Sequence, residues 1–479
     1  MYLCKKNVIM NEVLFKNADS KVIAVTKKLE KWLKNSIFED KVYYVGGCVR
    51  DLILGRPVKD IDIVVEMKNG GLMLANYLAV KDGSWIMDKN PVVFEAYGTA
   101  KFEFRKDPDC AGIQLECVQT RKEQYHKESR NPDTAYGTIQ EDAMRRDLTI
   151  NAMYYNITKE EICDYTDKGF HDLSHSLIRT PCDPDITFSD DPLRILRVIR
   201  FSARLGWGIS KDTWFGMVKN AYRIDIISQE RITDEISKIL CTDHPSEGIR
   251  KLMYCGILHR VMPDIYDLKY FYESKNPAVT TFDHTMNVLD AIVDNSVENR
   301  LAALFHDVGR AMAESDRTVS PNQFSADVAM ADLRKMKYSN DVVNAVACAI
   351  RHHEWFSTYT DGFLPPDKKI RKLMNSCGDH LAITLDLMNA NNQSRTYNKK
   401  KQQVLQVMRR IEELDEVDEM TNIKLPVDGN EIMKELGIKK GPTIGIILNE
   451  LKEDYFENPE ITKEECLKRA REIVLSLAV

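Results

Sequence analysis

The sequence predicts an α+β fold, with a mixed sheet and its helices in the first third of the chain and an all-helical remainder. Three observations predict it. Short apolar runs bounded by Gly, Pro and Asp turns fall between Val42 and Val118, several alternating at period two. From Pro192 onward the apolar residues recur instead at helical spacing. At 479 residues the chain is too long for one core, so roughly two to four domains are expected.

Hydrophobic residues at 43% with 29% charged describe an ordinary soluble globular protein. The net charge of −6 gives no overall attraction for nucleic acid, so any such contact must come from local basic patches. Eleven scattered cysteines, an odd count without a Cys-x-x-Cys pair, argue against structural zinc and a disulfide framework and favour a cytoplasmic location. The first ten residues lack the apolar core of a signal peptide, and no run of about 18 apolar residues predicts a membrane span.

Before Lys41, Val22, Ile23, Val25, Leu29, Trp32 and Leu33 define an amphipathic lead-in helix. Val42–Glu66 follows: an apolar strand runs into Gly46-Gly47, a short helix spans Cys48–Leu54, Gly55 ends it, and a second strand holds Asp60 and Asp62. Side chains alternate along a strand, so these two carboxylates share a face about 7 Å apart. Their repulsion is tolerable around a divalent cation, and hard oxygen ligands suit Mg²⁺. Gly46 and Gly47 leave backbone N–H groups uncovered at a helix start, a place for phosphate, and Arg50 can meet the same anion. An anion cradle beside a metal-binding carboxylate pair points to nucleotidyl transfer from a triphosphate. In this order, Gly46, Gly47, Arg50, Asp51, Asp60 and Asp62 resemble the signature of the DNA polymerase β-like nucleotidyltransferases, in particular the class II tRNA nucleotidyltransferases and the bacterial poly(A) polymerases.

Further strands are predicted at Val92–Phe94, Gly98–Phe104 and Ile113–Val118. Glu116, on the last, reads equally as a solvated edge residue; the resemblance implies a third catalytic carboxylate there. Thr120 to Pro132 reads as a polar loop. Asp142 to Met153 reads as a helix that brings Asp147 and Asn151, four apart, to one face. Alone it describes a surface helix with Arg–Asp pairs. Its Arg-Arg-Asp-x-x-x-Asn-Ala-Met string matches the same family, which implies that Arg146 holds triphosphate while Asp147 and Asn151 meet the ribose.

Pro192 opens a helix whose packing face includes Leu193, Leu196, Phe201 and Leu205. Asp191 and Arg194 sit three apart. Arg offers donors only and Asp acceptors only, so the pair can accept from the exocyclic amine of cytosine or adenine and donate to the ring edge. As an ordinary helical ion pair it is worth only a few tenths of a kcal/mol. The stretch resembles the Glu-Asp-x-x-Arg base-reading motif of the family, with Asp190 where Glu is usual. Arg197, Arg200 and Arg204 extend the basic face toward triphosphate or tRNA, and Glu230-Arg231-Ile232 resembles a bracing element between helices.

Downstream, His284 with His306-Asp307 on an apolar helix forms a metal-ligand nucleus and resembles the HD phosphohydrolases. Asp327 stands where that family has His and Arg310 where it has Lys, so a degenerate HD-like domain is expected, with His352, His353 and Asp386 as further candidates. A basic cluster at Asn398–Lys401 and Arg409-Arg410 reads as a phosphate contact or a solvated mixed-charge helix.

The expected organisation is a head over 20–170, a base-reading helical neck over 171–262, an HD-like domain over 263–397 and a tRNA-contacting helical tail over 398–479. The resemblance implies template-independent addition of C, C and A to the 3′ end of tRNA, with Mg²⁺ as cofactor and CTP and ATP as substrates. Alternatives are a poly(A) polymerase, a CC-only or A-only enzyme, and a metal-dependent phosphohydrolase.

Overall fold

The alternating runs of the first third become one seven-stranded mixed sheet. The computed structural model describes residues 14–15, 18–58, 60–83, 91–94, 98–126, 129–273, 276–309, 320–355, 364–394, 401–418, 425–438, 441–458 and 460–477. The chain divides into two units, Met1–Val261 and Met262–Val479. Arg310 and Asn398–Lys400 lie outside the described residues.

In the first unit, helix α1 (Ser20–Leu33) starts where the Asp19 carboxylate accepts the Lys21 N–H, and it buries Val22, Val25, Leu29 and Leu33. The strands are β1 (Val42–Val45), β2 (Asp60–Val65), β3 (Val92–Phe94), β4 (Thr99–Glu103) and β5 (Gln114–Gln119), then β8 (Met153–Asn156) and β9 (Glu161–Asp164), after a separate hairpin of β6 (Arg121–His126) and β7 (Ser129–Tyr136). Their order across the sheet is β3-β4-β5-β2-β1-β8-β9, with β2 and β5 parallel and the other neighbours antiparallel. Four consecutive apolar or aromatic residues make β1 buried throughout, whereas β2 leaves Asp60 and Asp62 exposed at its start and buries Ile63, Val64 and Val65. Strand β2 thus carries its charges at its start only.

Helix α2 (Gly47–Ile53) follows β1, and α3 (Gly70–Asp82) lies against the sheet. A Cβ on Gly71 would sit 2.6 Å from the Cys117 carbonyl oxygen, so only glycine lets α3 approach the β5 backbone this closely.

Two sequence readings change here. The expected polar loop after Thr120 is the β6–β7 hairpin. The backbone ladder joins its strands, and β6 carries charged side chains in place of an apolar alternation, Arg121 pairing with Glu123 along the same strand (3.1 Å). The expected helix from Asp142 to Met153 is only α4 (Ile139–Met144), a bend, and a 3-10 turn at Thr149–Asn151. It stops because Arg145 and Arg146 fold back onto Asp142, Leu148 is extended, and the Thr149 N–H donates to the Arg179 carbonyl.

Beyond α5 (Gly169–Ser174), the helices are α6 (Pro184–Asp190), α7 (Leu193–Leu205), α8 (Lys211–Asn220), α9 (Gln229–Leu240), α10 (Pro245–Tyr254) and α11 (Leu258–Val261). Asp191 is the extended break between α6 and α7, not a residue of either helix. Buried Glu235 of α9 pairs with Arg200 of α7 at 3.2 Å, which braces these two helices.

The second unit is helical apart from a two-stranded ladder at Tyr272–Thr280. It runs through α12 (Pro263–Asp267), α13 (Thr281–Ala291), α14 (Val297–Phe305), α15 (Pro321–Lys335), α16 (Asn340–His352), α17 (Asp367–Cys377), α18 (Leu381–Ser394), α19 (Lys401–Asp418), α20 (Gly429–Leu436), α21 (Pro442–Glu457) and α22 (Lys463–Leu477). Ile370, Leu373, Val404 and Val407 anchor a core shared by α16 to α19, while Ile432, Ile447 and Leu451 anchor another among α20 to α22. Arg410 pairs with Asp367 (2.6 Å) and Glu413 (2.7 Å), as a solvated mixed-charge helix would have it. Among the described residues no helix is long and apolar enough to cross a membrane.

Candidate active site

Strand pairing assembles the carboxylates. Parallel register sets Asp62 opposite Glu116, and antiparallel register sets Glu116 opposite Lys101, whose Nζ lies 3.6 Å from Glu116 Oε2. Although Asp62 is exposed, partial desolvation by the surrounding protein pushes its carboxyl up from its ordinary value, and Glu116 and Asp60 push the same way, while Arg146 and Lys101 oppose. Three carboxylate side chains gathered on neighbouring strands, two of which disfavour the charge on Asp62, are a donor set that fits a hard divalent cation. Asp60, Asp62 and Glu116 are the residues here that could hold such a cation.

Beside them the chain turns at Gly46, whose φ of +78° and ψ of −137° favour glycine strongly. A Cβ there would meet Arg146 Nη1 at 3.6 Å and Asp62 Oδ2 at 3.7 Å, so the turn, the guanidinium and the carboxylate converge. Gly47 follows with the Arg50 guanidinium 3.4 Å from its own virtual Cβ.

Arg146 is aimed by partners that sequence reasoning missed. Its Nε donates to the Tyr154 hydroxyl (2.9 Å) and the Asp142 carboxylate (3.2 Å), and its Nη2 donates to Asp142 at 3.0 Å. Asp142 is buried, which favours its neutral form, yet Arg146, Arg145 and the Tyr154 hydroxyl hold its carboxyl at about 2. The signal was present in the spacing, since Arg145 and Arg146 stand three and four residues after it.

Arg50 turns inward. It is 2% exposed, with Nε and Nη2 on the Asp51 carboxylate (2.9 and 2.8 Å) and Nη1 on Asn151 Oδ1 (2.7 Å). Asn151 in turn donates to Asp147 at 3.3 Å, so these two residues meet even without the helix expected to join them. Asp147 also accepts from Arg197 Nε at 2.8 Å; burial pushes its carboxyl up, but Arg197 outweighs that and holds it at about 2. Arg197 and Arg200 are therefore tied to Asp147 and Glu235 respectively.

The base-reading candidates sit at the start of α7. Asp191 accepts the Leu193 N–H at 3.2 Å, and Arg194 Nη2 lies 3.4 Å from Glu123 of β6. Glu123, whose side chain is buried, also takes Arg145 at 3.0 Å, so it links the hairpin, the Arg145–Arg146 pair and α7. No pattern in the polar run Arg121–His126 marked it.

In the second unit His284, His306 and Asp307 cluster with ligand atoms within 4.8 Å of one another. His353 joins them, its Nε2 3.9 Å from Asp307 Oδ1. Asp386 does not: it accepts from the Val293 and Asp294 backbone and from Asn299 (2.7 Å). Asn391 occupies the position beside His284, at 3.1 Å. Asp327 bonds Gln323 (2.9 Å) on the exposed face of α15.

Residues 42–179 match the family described as the poly A polymerase head domain, and residues 206–268 match the probable RNA and SrmB-binding site of polymerase A. The class is thus a nucleotidyltransferase head followed by a helical region. The chain is 27% identical to tRNA nucleotidyltransferase cca1 of Schizosaccharomyces pombe, over 89% of this chain and 90% of that one. It is 32% identical to the multifunctional CCA protein of Paraburkholderia phymatum, over 65% of this chain and 74% of that one. The crystal structure of the Bacillus stearothermophilus CCA-adding enzyme in complex with CTP has the same fold, with a TM-score of 0.64 at 21% identity over 96% of this chain and 99% of that one. The chain belongs to the family of CCA-adding tRNA nucleotidyltransferases and poly(A) polymerases.

Proposed function

We propose that this protein adds C, C and A to the 3′ end of tRNA, using CTP and ATP and releasing pyrophosphate. The observation that supports this most is the convergence of Asp62, the Gly46 turn and Arg146 at the exposed end of the sheet, with Asp60 and Glu116 on the same pair of strands. The names of the relatives, tRNA nucleotidyltransferase and CCA protein, agree with it.

In this reading Asp60, Asp62 and Glu116 hold Mg²⁺, which when bound activates the terminal tRNA hydroxyl and steadies the leaving pyrophosphate. The Gly46-Gly47 backbone and Arg146 receive the triphosphate. Arg50 and Asn151 act from beneath: their mutual hydrogen bond fixes the α2 start and orients Asp147 toward the ribose. Asp191 and Arg194 read the base by accepting from its amine and donating to its ring edge. Arg197 and Arg200 support that helix through Asp147 and Glu235. The four-part organisation and the class II assignment belong to the same proposal, as does a cytosolic location.

The test is incubation with tRNA lacking its terminal C, C and A, followed by sequencing of the product. Addition of C, C and A in order is expected; an A-only tail would support the poly(A) alternative, and no addition would overturn both. Residues of altered donor pattern at 191 and 194 should change nucleotide choice.

A second reading rests on the histidine cluster. His306 and His353 each point Nδ1 at a backbone carbonyl (2.8 and 2.7 Å), which must be accepted as an N–H donation and leaves Nε2 with its lone pair. Both Nε2 atoms are buried without a hydrogen bond. This suits an HD-type metal phosphohydrolase, for which metal-dependent hydrolysis of a 2′,3′-cyclic nucleotide to the nucleoside monophosphate, or phosphate release from a simple phosphomonoester, abolished by His306→Ala, is the test.

A further inference from the structure

Helices α16 and α17 bring together three side chains that neither the nucleotidyl site nor the histidine–aspartate cluster uses. Cys348 and His352 are four residues apart on α16 and so share a face, and Cys377 ends α17. The two sulfurs and an imidazole nitrogen lie within 4.8 Å of one another. Cys348 is 9% and Cys377 4% exposed, and His352 is half-buried. Besides the carboxylates of the nucleotidyl site, the described residues hold two tight groups of metal-capable side chains, and this one contains sulfur. Adjacent histidines are divided between them, since His353 faces Asp307 while His352 faces the cysteines.

We propose that Cys348, His352 and Cys377 form a site for a thiophilic divalent cation, zinc by the chemistry of the donors. Two thiols and an imidazole are a soft donor set that disfavours Mg²⁺ and suits Zn²⁺, with water from the half-buried His352 side as a fourth ligand. Binding displaces the thiol protons and leaves sulfur as the ligand. The sequence argued against structural zinc because no Cys-x-x-Cys pair exists; packing of α16 on α17 supplies the pair across 29 residues instead. The ion would clip the end of α17, which packs on α19 and α21, to a helix of the central bundle of this unit.

The experiment titrates the full-length, phosphine-reduced protein with Co²⁺ as a spectroscopic probe. A sulfur-to-cobalt charge-transfer band should grow to saturation at one equivalent. It should vanish in Cys348→Ser and in Cys377→Ser, persist in His306→Ala, and require on the order of tenfold more cobalt in His352→Ala. Zn²⁺ should displace the cobalt and raise the thermal midpoint of the wild type but not of Cys348→Ser. Metal-free circular dichroism checks that the variants fold, and His352→Ala, at a half-buried position, gives an arm independent of the buried thiols. Absence of the band in folded, reduced protein would overturn the proposal, as would its survival in both serine variants, or a Cys348–Cys377 disulfide in protein alkylated at lysis.

Discussion

Asp142→Asn tests how Arg146, the arginine proposed to receive the triphosphate, is held. The Asp142 side chain is fully buried; one oxygen takes Arg145 Nη2 at 2.6 Å, and the other takes Arg146 Nη2 at 3.0 Å and the Tyr154 hydroxyl at 2.7 Å. Asparagine keeps the shape but turns one oxygen into a donor facing a guanidinium. Removing one partner of a buried ion pair costs about 3–5 kcal/mol. Arg145 and Arg146 retain 16% and 17% exposure, so water compensates in part. The lower end applies, about 3 kcal/mol, or roughly a hundredfold in the folded-to-unfolded ratio. Urea unfolding followed by tryptophan fluorescence measures it, since four of the five tryptophans lie in the first unit. The midpoint should fall with little change in slope. In the same variant KM for CTP should rise, because Arg146 Nη1 no longer stays beside Gly46. An unchanged midpoint together with an unchanged KM would refute this account of Asp142.

Two further outcomes follow from the same geometry. Asp142 and Asp147 have folded-state carboxyls held at about 2, below their ordinary 3.8. A lowered carboxyl contributes stability that is full above the unfolded value and is lost as pH falls toward 2, roughly 2 kcal/mol each at about 1.4 kcal/mol per pKa unit. Unfolding free energies at about pH 6 and about pH 3 should therefore differ less in Asp147→Asn than in the wild type; equal differences would contradict the Arg197–Asp147 pairing. Gly46→Ala should cost about 1–3 kcal/mol from its backbone angles alone. Because a Cβ there makes only ordinary contacts, thermal melting should show this cost without loss of the fold.

How far the sequence revealed all this depended on whether a residue's role was local. Gly46, Asp60 and Asp62 were legible because glycine before a helix and alternate residues on a strand have meaning within a few positions. The three strands from Val92 to Val118 followed from apolar alternation. Glu116 needed the register of β5 against β2, a non-local fact that spacing does not contain. The β6–β7 hairpin escaped because Arg121, Lys122 and Glu123 show no apolar face, and Glu123 matters through arginines 22 and 71 residues away. Asp147 and Asn151 were paired correctly for the wrong reason, since a 3-10 turn rather than a helix brings them together. An arginine beside Gly-Gly looks free in sequence, and only the fold places Asp51 and Asn151 around Arg50.

The most direct measurement is incorporation of labelled CMP and AMP into tRNA lacking its 3′ terminus by the wild type and by Asp60→Ala combined with Asp62→Ala. The wild type should incorporate both labels, and the double variant should fold yet incorporate neither. Incorporation at the wild-type rate by the double variant would contradict the claim that these two carboxylates are the shared centre for every addition.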